Sequence, residues 1–196
     1  MSKTYIICVD DEKIVLESLK TELKEQFGKE FRIETADNAT DAMELVEELL
    51  NEDNEIPVVI SDYVMPLIKG DELLKNIHTV SPKTLKILLT GQATMEGVTN
   101  SINNANLYRY IAKPWEPKDL SMTVTEAIRR FSQEKQLEIQ NAQLRELNAG
   151  LEQKVEERTR EIQEKNVLLE QKNTELSQKN KDITDSLYYA KNIQKA

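Results

Sequence analysis

The chain contains one cysteine in 196 residues, and no apolar run approaches the ~20 residues that a membrane span requires. A single cysteine excludes a disulfide scaffold. Because Cys8 lies inside an apolar strand pattern, we expect an ordinary buried core thiol there. No signal peptide precedes the first apolar run, which predicts a cytoplasmic protein with no membrane partner.

Proline and glycine are scarce in the C-terminal part of the chain. All five prolines lie at or before Pro117, and residues 118–196 contain one glycine, Gly150. The whole formal net charge of −9 also falls on residues 1–117, so the remainder is neutral. This change predicts a globular segment followed by a long helix, with the boundary near Pro117.

Short apolar runs alternate with helix-period segments before this boundary. The predicted strands cover residues 5–9, 31–35, 58–61, 86–89 and 109–112. The predicted helices cover residues 13–27, 39–50, 70–78, 94–103 and 118 onward. Such alternation predicts an α/β fold, namely a flavodoxin-like doubly wound parallel sheet of five βα units with strand order 2-1-3-4-5.

Polar side chains stand where four of these strands end. Asp10 and Asp11 follow the first strand, Asp62 follows the third, Thr90 the fourth and Lys113 the fifth. Because the carboxyl ends of parallel strands share one edge of the sheet, we expect these groups to converge. Carboxylates, a hydroxyl and an ammonium group together form a site for Mg²⁺ and a phosphoryl group.

Four pieces of sequence at these strand ends resemble the receiver domain of two-component response regulators. They read CVDDE, VVISDYVMPLIKG, ILLTGQA and RYIAKPW, in the order and spacing of that family. The resemblance covers about residues 3 to 131 and implies a phosphorelay function. The implied donor is a sensor histidine kinase or a phosphotransfer protein, and the receiver would catalyse only its own phosphorylation.

The same resemblance implies a role for each residue that matches the family's motifs. Asp62 becomes the phosphoacceptor. The implied Mg²⁺ ligands are Asp10, Asp11, Asp62 and the backbone carbonyl of Val64. The implied phosphate-binding and switch residues are Thr90, Lys113 and Tyr110.

Some of these polar residues also have structural explanations. Asp11 could cap the helix that begins near Lys13, and Thr90 could be a turn residue. His78, the only histidine, lies in a helix pattern away from the strand ends. We therefore expect His78 to take no part in the chemistry.

Three other classes of protein are disfavoured because the chain lacks a sequence feature that each of them requires. A hydrolase of the haloacid dehalogenase type needs Asp-x-Asp after its first strand, where this chain has Asp10-Asp11-Glu12. A zipper-type DNA-binding protein needs a basic block beside its heptads, but the lysines of residues 118–196 are dispersed, so no nucleic-acid partner is expected. A histidine-kinase dimerisation helix is excluded because the same residues contain no histidine.

Apolar residues recur at intervals of seven along the tail, which predicts a parallel, homodimeric coiled coil. The d positions are Val155, Ile162, Leu169, Leu176, Ile183 and Ala190, and the a positions are Thr159, Asn166, Asn173, Asn180 and Leu187. Asparagine at a lowers stability but favours an in-register dimer. An earlier seam of Leu137, Leu144, Leu147 and Leu151 has another register, and Gly150 marks a candidate hinge in the irregular region.

We therefore predict a receiver domain over residues 1–131 and a coiled coil over residues 132–196 that carries the signal to an output domain. The helix pattern reaches Ala196 without a C-cap glycine or proline, so that output domain is expected beyond this sequence. The last stretch, DITDSLYYAKNIQKA, resembles the helix before PPM-type serine/threonine phosphatase domains. The alternatives are a nucleotide cyclase, a cyclic-dinucleotide phosphodiesterase or a stand-alone dimeric adaptor.

Overall fold

The structure is a computed structural model that describes residues 3–91 and 107–193, with side chains described through residue 187. The chain divides into two compact units, residues 1–137 and residues 138–196. Across the described ranges, no helix combines the length and the apolar character that crossing a membrane would need.

A five-stranded parallel sheet forms the first unit. Its strands are β1 Thr4–Val9, β2 Arg32–Ala36, β3 Glu55–Asp62, β4 Leu85–Gly91 and β5 Arg109–Lys113. The described helices are α1 Lys13–Phe27, α2 Ala39–Asn51, α3 Gly70–Val80 and α4 Pro117–Ile193. The order β2-β1-β3-β4-β5 confirms the predicted fold class and strand order. The helix predicted over residues 94–103 lies outside the described residues.

Both faces of the sheet are covered, which explains why the central strands are apolar without alternation. All residues of β1 and β3 except the first of each are buried. One face packs against α2 and α3, and the other packs against α1 and the beginning of α4. Cys8 lies on the second face, and burial raises the pKa of its thiol to about 12. This confirms the prediction of an ordinary core thiol.

The parallel register brings the carboxyl ends of four strands to one edge. Pairs near this edge are Val9 with Ser61, Asp62 with Leu89, Thr90 with Ala112 and Gly91 with Lys113. The side chains at the ends of β1, β3, β4 and β5 are therefore neighbours, although they are far apart in the sequence.

A buried lysine interrupts the apolar pattern of β4. Lys86 is only 1% exposed, and its Nζ donates to the Thr84 carbonyl oxygen at 2.7 Å. The same Nζ lies 3.0 Å from Nδ1 of His78, so the histidine contacts a core lysine. Burial lowers the pKa of the Lys86 ammonium group to about 8.

Replacing Lys86 with methionine should change how stability depends on pH. The unfolded chain keeps the ordinary lysine pKa of 10.5, whereas the folded protein has a value of about 8. Below about pH 8 the folded state carries the full cost of a buried charge, and it loses that cost as the pH rises toward 10.5. Between about pH 7 and about pH 10, the wild-type free energy of unfolding should rise by roughly 1–3 kcal/mol relative to Lys86→Met.

Urea unfolding of both proteins at the two pH values measures this difference. Titrating groups that do not contact Lys86 are common to the two proteins and cancel in the comparison, and a Lys86→Met, His78→Gln double variant beside His78→Gln accounts for the histidine that does. A difference in the free energy of unfolding between the two proteins that stays constant with pH would contradict a depressed Lys86 pKa.

The second unit is helical, and its apolar seam is exposed in the single chain. Nine seam residues are more than half exposed, namely Leu144, Leu147, Leu151, Val155, Ile162, Leu169, Leu176, Ile183 and Leu187. A Cβ at Gly150 would meet no atom within 4 Å, so space does not require glycine there. Helices in proteins gain most of their stability from packing, and these seam residues are exposed in the part of the chain that the structure describes.

Candidate active site

One ammonium group and two buried carboxylates meet at the carboxyl edge of the sheet. Asp10 is fully buried after β1, Asp62 is 5% exposed at the end of β3, and Lys113 ends β5. Lys113 Nζ lies 2.6 Å from Oδ2 of Asp10 and 2.5 Å from Oδ1 of Asp62. The structure thus brings together three of the residues that the sequence singled out.

Burial and ion pairing shift the pKa values of these groups in opposite directions. Burial raises the pKa of the Asp10 carboxyl group, and hydrogen bonds from Lys113 and from the Glu12 N–H offset only part of the rise. Burial alone would lower the pKa of Lys113, but the hydrogen bonds and charges of Asp10 and Asp62 outweigh it and raise that pKa. Lys113 therefore remains a cation at neutral pH and relieves the repulsion between the two carboxyl groups.

The two carboxylate oxygens of Asp62 have different partners. Oδ1 pairs with Lys113, and Oδ2 accepts a hydrogen bond from the Val64 N–H at 2.8 Å. The sequence singled out Val64 for its carbonyl oxygen, whereas the contact seen here uses its amide hydrogen. Two fixed contacts limit the rotation of the Asp62 side chain and preorganise its oxygens.

Asp11 differs from Asp10 in its surroundings, although the two are adjacent. Asp11 is exposed, and the cap position of α1 is occupied by Glu12 with no side-chain cap. The Glu12 N–H donates instead to Oδ1 of Asp10 at 3.0 Å. The explanation of Asp11 as a helix cap is therefore wrong, and Asp10 is the acid that holds this turn.

The hydroxyl and aromatic residues of the prediction lie on neighbouring strands. Thr90 is fully buried, and its Oγ1 donates to the Gly91 carbonyl oxygen at 3.1 Å. Ala112 pairs with Thr90, and Tyr110 stands two residues earlier on β5. Tyr110 is 43% exposed, so its ring is only partly covered.

Glycine is required where α3 approaches Asp62. A Cβ at Gly70 would lie 1.9 Å from the carbonyl oxygen of Asp62 and 2.9 Å from Oγ of Ser61. The Gly70 N–H also donates to the Tyr63 carbonyl oxygen at 3.0 Å, which closes the loop. The sequence predicted that a helix begins at residue 70, but only the structure reveals how closely Gly70 approaches Asp62.

Sequence reasoning gave no role to Trp115, which supports the segment that carries Lys113. Its Nε1 donates to Oε2 of Glu22 at 3.0 Å, and its ring packs on the face of the sheet that α1 covers. The tryptophan belongs to the piece RYIAKPW, so its nearness to Lys113 was visible in the sequence. Its partner Glu22 lies on α1, far away in the chain, and no sequence pattern pointed to that residue.

The donor atoms at this edge suit Mg²⁺, which prefers oxygen ligands. Asp10 and Asp62 offer carboxylate oxygens close to a single ammonium group. Within residues 3–91 and 107–187, no three His, Cys, Asp or Glu side chains are grouped so as to hold a metal ion by themselves. A cation here would also draw on a backbone carbonyl oxygen and on water, as Mg²⁺ commonly does.

Known proteins resemble this chain in both sequence and fold. The hydrogenase transcriptional regulatory protein HoxA of Bradyrhizobium diazoefficiens is 32% identical over 133 residues, which cover 68% of this chain and 26% of that protein. The chain spans 26% and 24% of the two HoxA proteins that it matches, about a quarter of their length.

Two solved receiver domains match most of the first unit. One is the signal receiver domain of an HD domain-containing protein from Pseudomonas fluorescens Pf-5, with 29% identity, a TM-score of 0.60, and coverage of 69% of this chain and 94% of that one. The other is a CheY-like receiver domain protein from Methanospirillum hungatei JF-1, with 28% identity, a TM-score of 0.59, and coverage of 68% and 99%.

The response regulator receiver domain family matches residues 6–125. That range contains β2 to β5, β1 from Ile6 onward, and the ion-paired cluster of Asp10, Asp62 and Lys113. This chain therefore belongs to the response regulator receiver domain family and carries the receiver domain of a two-component response regulator.

Proposed function

We propose that this chain accepts a phosphoryl group on Asp62 and passes the signal along a paired C-terminal helix. The observation that carries the first part is the buried Asp62 carboxylate, held between Lys113 and the Val64 N–H at the ligand edge of the sheet. Receiver domains generally bind Mg²⁺ at their phosphorylation site and interact with histidine kinases or phosphotransfer proteins. We propose a donor of that kind for this chain.

In the proposed transfer, a carboxylate oxygen of Asp62 forms a bond to phosphorus while the donor's bond to phosphorus breaks. The electron pair of the broken bond leaves with the donor. Lys113 already pairs with Asp62, so its ammonium group is in place to neutralise charge on a phosphoryl oxygen, and Thr90 would donate to another. When bound, Mg²⁺ supplies additional positive charge for the phosphoryl oxygens. Its proposed protein ligands are Asp10, Asp11, Asp62 and the backbone carbonyl of Val64.

Metal removal tests this proposal. Incubation with acetyl phosphate and Mg²⁺ should add one phosphoryl group per chain, visible as a single mass increase in intact-mass spectra. Chelation with EDTA beforehand should prevent the increase, because the site then lacks the cation that offsets the charges of carboxylates and phosphoryl group.

Inorganic phosphate in place of acetyl phosphate is the matched control, because it has no good leaving group. Failure to label with Mg²⁺ present would contradict the proposed function. Full labelling in EDTA would contradict only the proposed role of the metal and not the phosphorylation of the chain.

For the second unit we propose a parallel homodimer. Its interface would consist of Val155, Ile162, Asn166, Leu169, Asn173, Leu176, Asn180, Ile183 and Leu187. The exposure of the apolar members of this set supports pairing, because a monomer would leave them in water. The first turns of α4 pack on the same face of the sheet as Ile111 of β5, so a movement of β5 could reach the helix. Signal transmission along a paired helix requires the dimer. A monomeric chain would therefore contradict both the proposed dimer and the proposed signal path.

We propose a PPM-type protein phosphatase as the output, supported by the resemblance of residues 182–196. A nucleotide cyclase, a cyclic-dinucleotide phosphodiesterase and a stand-alone adaptor remain the alternatives. The HoxA relatives are named as transcriptional regulators, but this chain spans only a quarter of their length and lacks a basic block, so we propose no contact with nucleic acid. The receiver itself is proposed to catalyse only its own phosphorylation, in the cytoplasm.

A further inference from the structure

The helix α1 is connected to Lys113 in two places. At the start of the helix, the Glu12 N–H donates to Oδ1 of Asp10, whose Oδ2 pairs with Lys113. Further along α1, Oε2 of Glu22 accepts a hydrogen bond of 3.0 Å from Nε1 of Trp115, which follows Lys113 closely in the chain. These contacts form a closed ring that runs from Lys113 through Asp10, α1 and Trp115 back to Lys113.

Glu22 is held in place on α1, so it is a fixed partner for Trp115. Its neighbour Leu23 is 1% exposed and packs in the same core cluster as the Trp115 ring. Its second carboxylate oxygen, Oε1, lies 3.5 Å from the Ser18 hydroxyl one turn earlier. A hydrogen bond to a carboxylate is stronger than one between neutral groups, and a group on a helix is placed more precisely than one on a loop.

The segment between β5 and α4 has Trp115 as its inward-facing residue. Pro114 and Glu116 are exposed, whereas Trp115 is half-buried against the core. Packing alone would not need an indole N–H, because a phenylalanine ring is also apolar. Lysine has a long flexible stem, so the position of its backbone decides where its Nζ can reach. A shift of this segment would therefore separate Lys113 from Asp62.

We infer that Trp115 is a positioning residue for phosphoryl transfer, because its bond to Glu22 holds the Lys113 ammonium group beside Asp62. This inference rests on the proposed function of Asp62. Lys113 Nζ lies 2.5 Å from Oδ1 of Asp62, which is where charge gathers on the phosphoryl oxygens during the proposed transfer. Trp115 acts on the reaction only through Lys113.

The first measurement is the rate of labelling by acetyl phosphate at saturating Mg²⁺. Trp115→Phe keeps a ring in the core but removes the N–H donor, and Glu22→Ala removes the acceptor and leaves a good helix former. Each variant should be labelled about tenfold more slowly, since a displacement of about 1 Å can cost up to about a hundredfold. Combining the two changes should slow labelling little further, because both break the same bond. Glu22→Gln should retain the wild-type rate, because its amide oxygen still accepts.

The second measurement observes Lys113 without any phosphoryl transfer. The protein is labelled with ¹³C at the lysine Cε, and the Lys113 signal is identified by its loss in Lys113→Met. A fixed ammonium group keeps the two Hε protons inequivalent, whereas a mobile side chain averages them. Nuclear magnetic resonance should therefore show separate Hε shifts in the wild type and in Glu22→Gln. The shifts should be averaged in Glu22→Ala and in Trp115→Phe.

Glu25→Ala is the matched control, because it removes the same charge from an exposed position of the same helix. This control should leave both measurements unchanged. A wild-type rate in Glu22→Ala would overturn the inference. Equal slowing by Glu25→Ala would also overturn it, since the effect would then come from the charge of α1 rather than from the bond to Trp115.

Slower labelling of Glu22→Ala with an unchanged Lys113 signal would likewise overturn the inference, because the bond would then not act through Lys113. Failure of the wild type to be labelled would instead refute the proposed function. The resonance measurement would still decide whether Glu22 and Trp115 hold Lys113, because it needs no phosphoryl group.

Discussion

Asp62→Asn should abolish phosphorylation by acetyl phosphate in the presence of Mg²⁺. Asparagine has nearly the shape of aspartate, and its amide oxygen can still face Lys113, but the amide is not a useful nucleophile toward phosphorus. Lys113 also keeps its contact with Asp10, so the fold should survive the change. Intact-mass spectra should therefore show no added phosphoryl group on a folded protein.

The matched control is Asp185→Asn, which removes an exposed carboxylate from the second unit. That variant should be labelled as fully as the wild type. Residual labelling of Asp62→Asn would mean that another carboxylate can accept the group, and Asp10, which shares Lys113 with Asp62, and its neighbour Asp11 would be the first candidates. Circular dichroism of both variants establishes that any loss is chemical rather than a result of unfolding.

Leu169→Lys should convert a dimer into a monomer, whereas Leu168→Lys should not. The two leucines are adjacent and almost equally exposed in the single chain, at 58% and 52%. Only Leu169 falls in the predicted seam. Two leucines per dimer would lose about 1.5–3 kcal/mol of burial each. Two buried ammonium groups would cost more still, so the dissociation constant should rise more than a hundredfold.

Light scattering at micromolar concentration distinguishes these outcomes. Oxidative cross-linking of an Asn173→Cys variant reports the direction of pairing, because a disulfide needs two Cα atoms within about 7 Å. A parallel, in-register pair brings residue 173 close to its own copy, whereas an antiparallel pair does so only if its centre falls at that residue. A monomeric wild type, or an equal effect of the two lysine substitutions, would contradict the proposed dimer.

The fold could be predicted because strands buried on both faces produce apolar runs that stand out from the helices between them. The predicted bounds of α1 match the structure, while β3 begins at Glu55 rather than at residue 58. Pro57 has no amide hydrogen for a ladder, and the pairing of β1 with β3 shifts register near this point, from Thr4–Glu55 to Ile6–Val58. A search for apolar runs therefore starts this strand after the proline and misses its first three residues.

The neighbourhood of Asp10, Asp62 and Lys113 was also predictable, since parallel strands must end at a common edge. The difference between Asp10 and Asp11 was not, because adjacent residues in a turn face different surroundings and only packing decides which one is buried. The burial of Lys86 and the positive φ of 67° at Leu67, in the loop between β3 and α3, leave no mark in the sequence. Lysine is ordinarily exposed, and leucine ordinarily has a negative φ. Tertiary structure alone therefore imposes these two features.

Direct mapping of the phosphorylated residue tests the central claim. An acyl phosphate is reduced by borohydride, which converts a phosphorylated aspartate into homoserine and leaves free carboxylates unchanged. The protein should be labelled with acetyl phosphate and Mg²⁺, reduced, digested and sequenced by tandem mass spectrometry. We predict homoserine at position 62 and unmodified aspartate at positions 10 and 11. Homoserine at position 10 or 11, with Asp62 intact, would contradict the assignment of Asp62 as the phosphoacceptor.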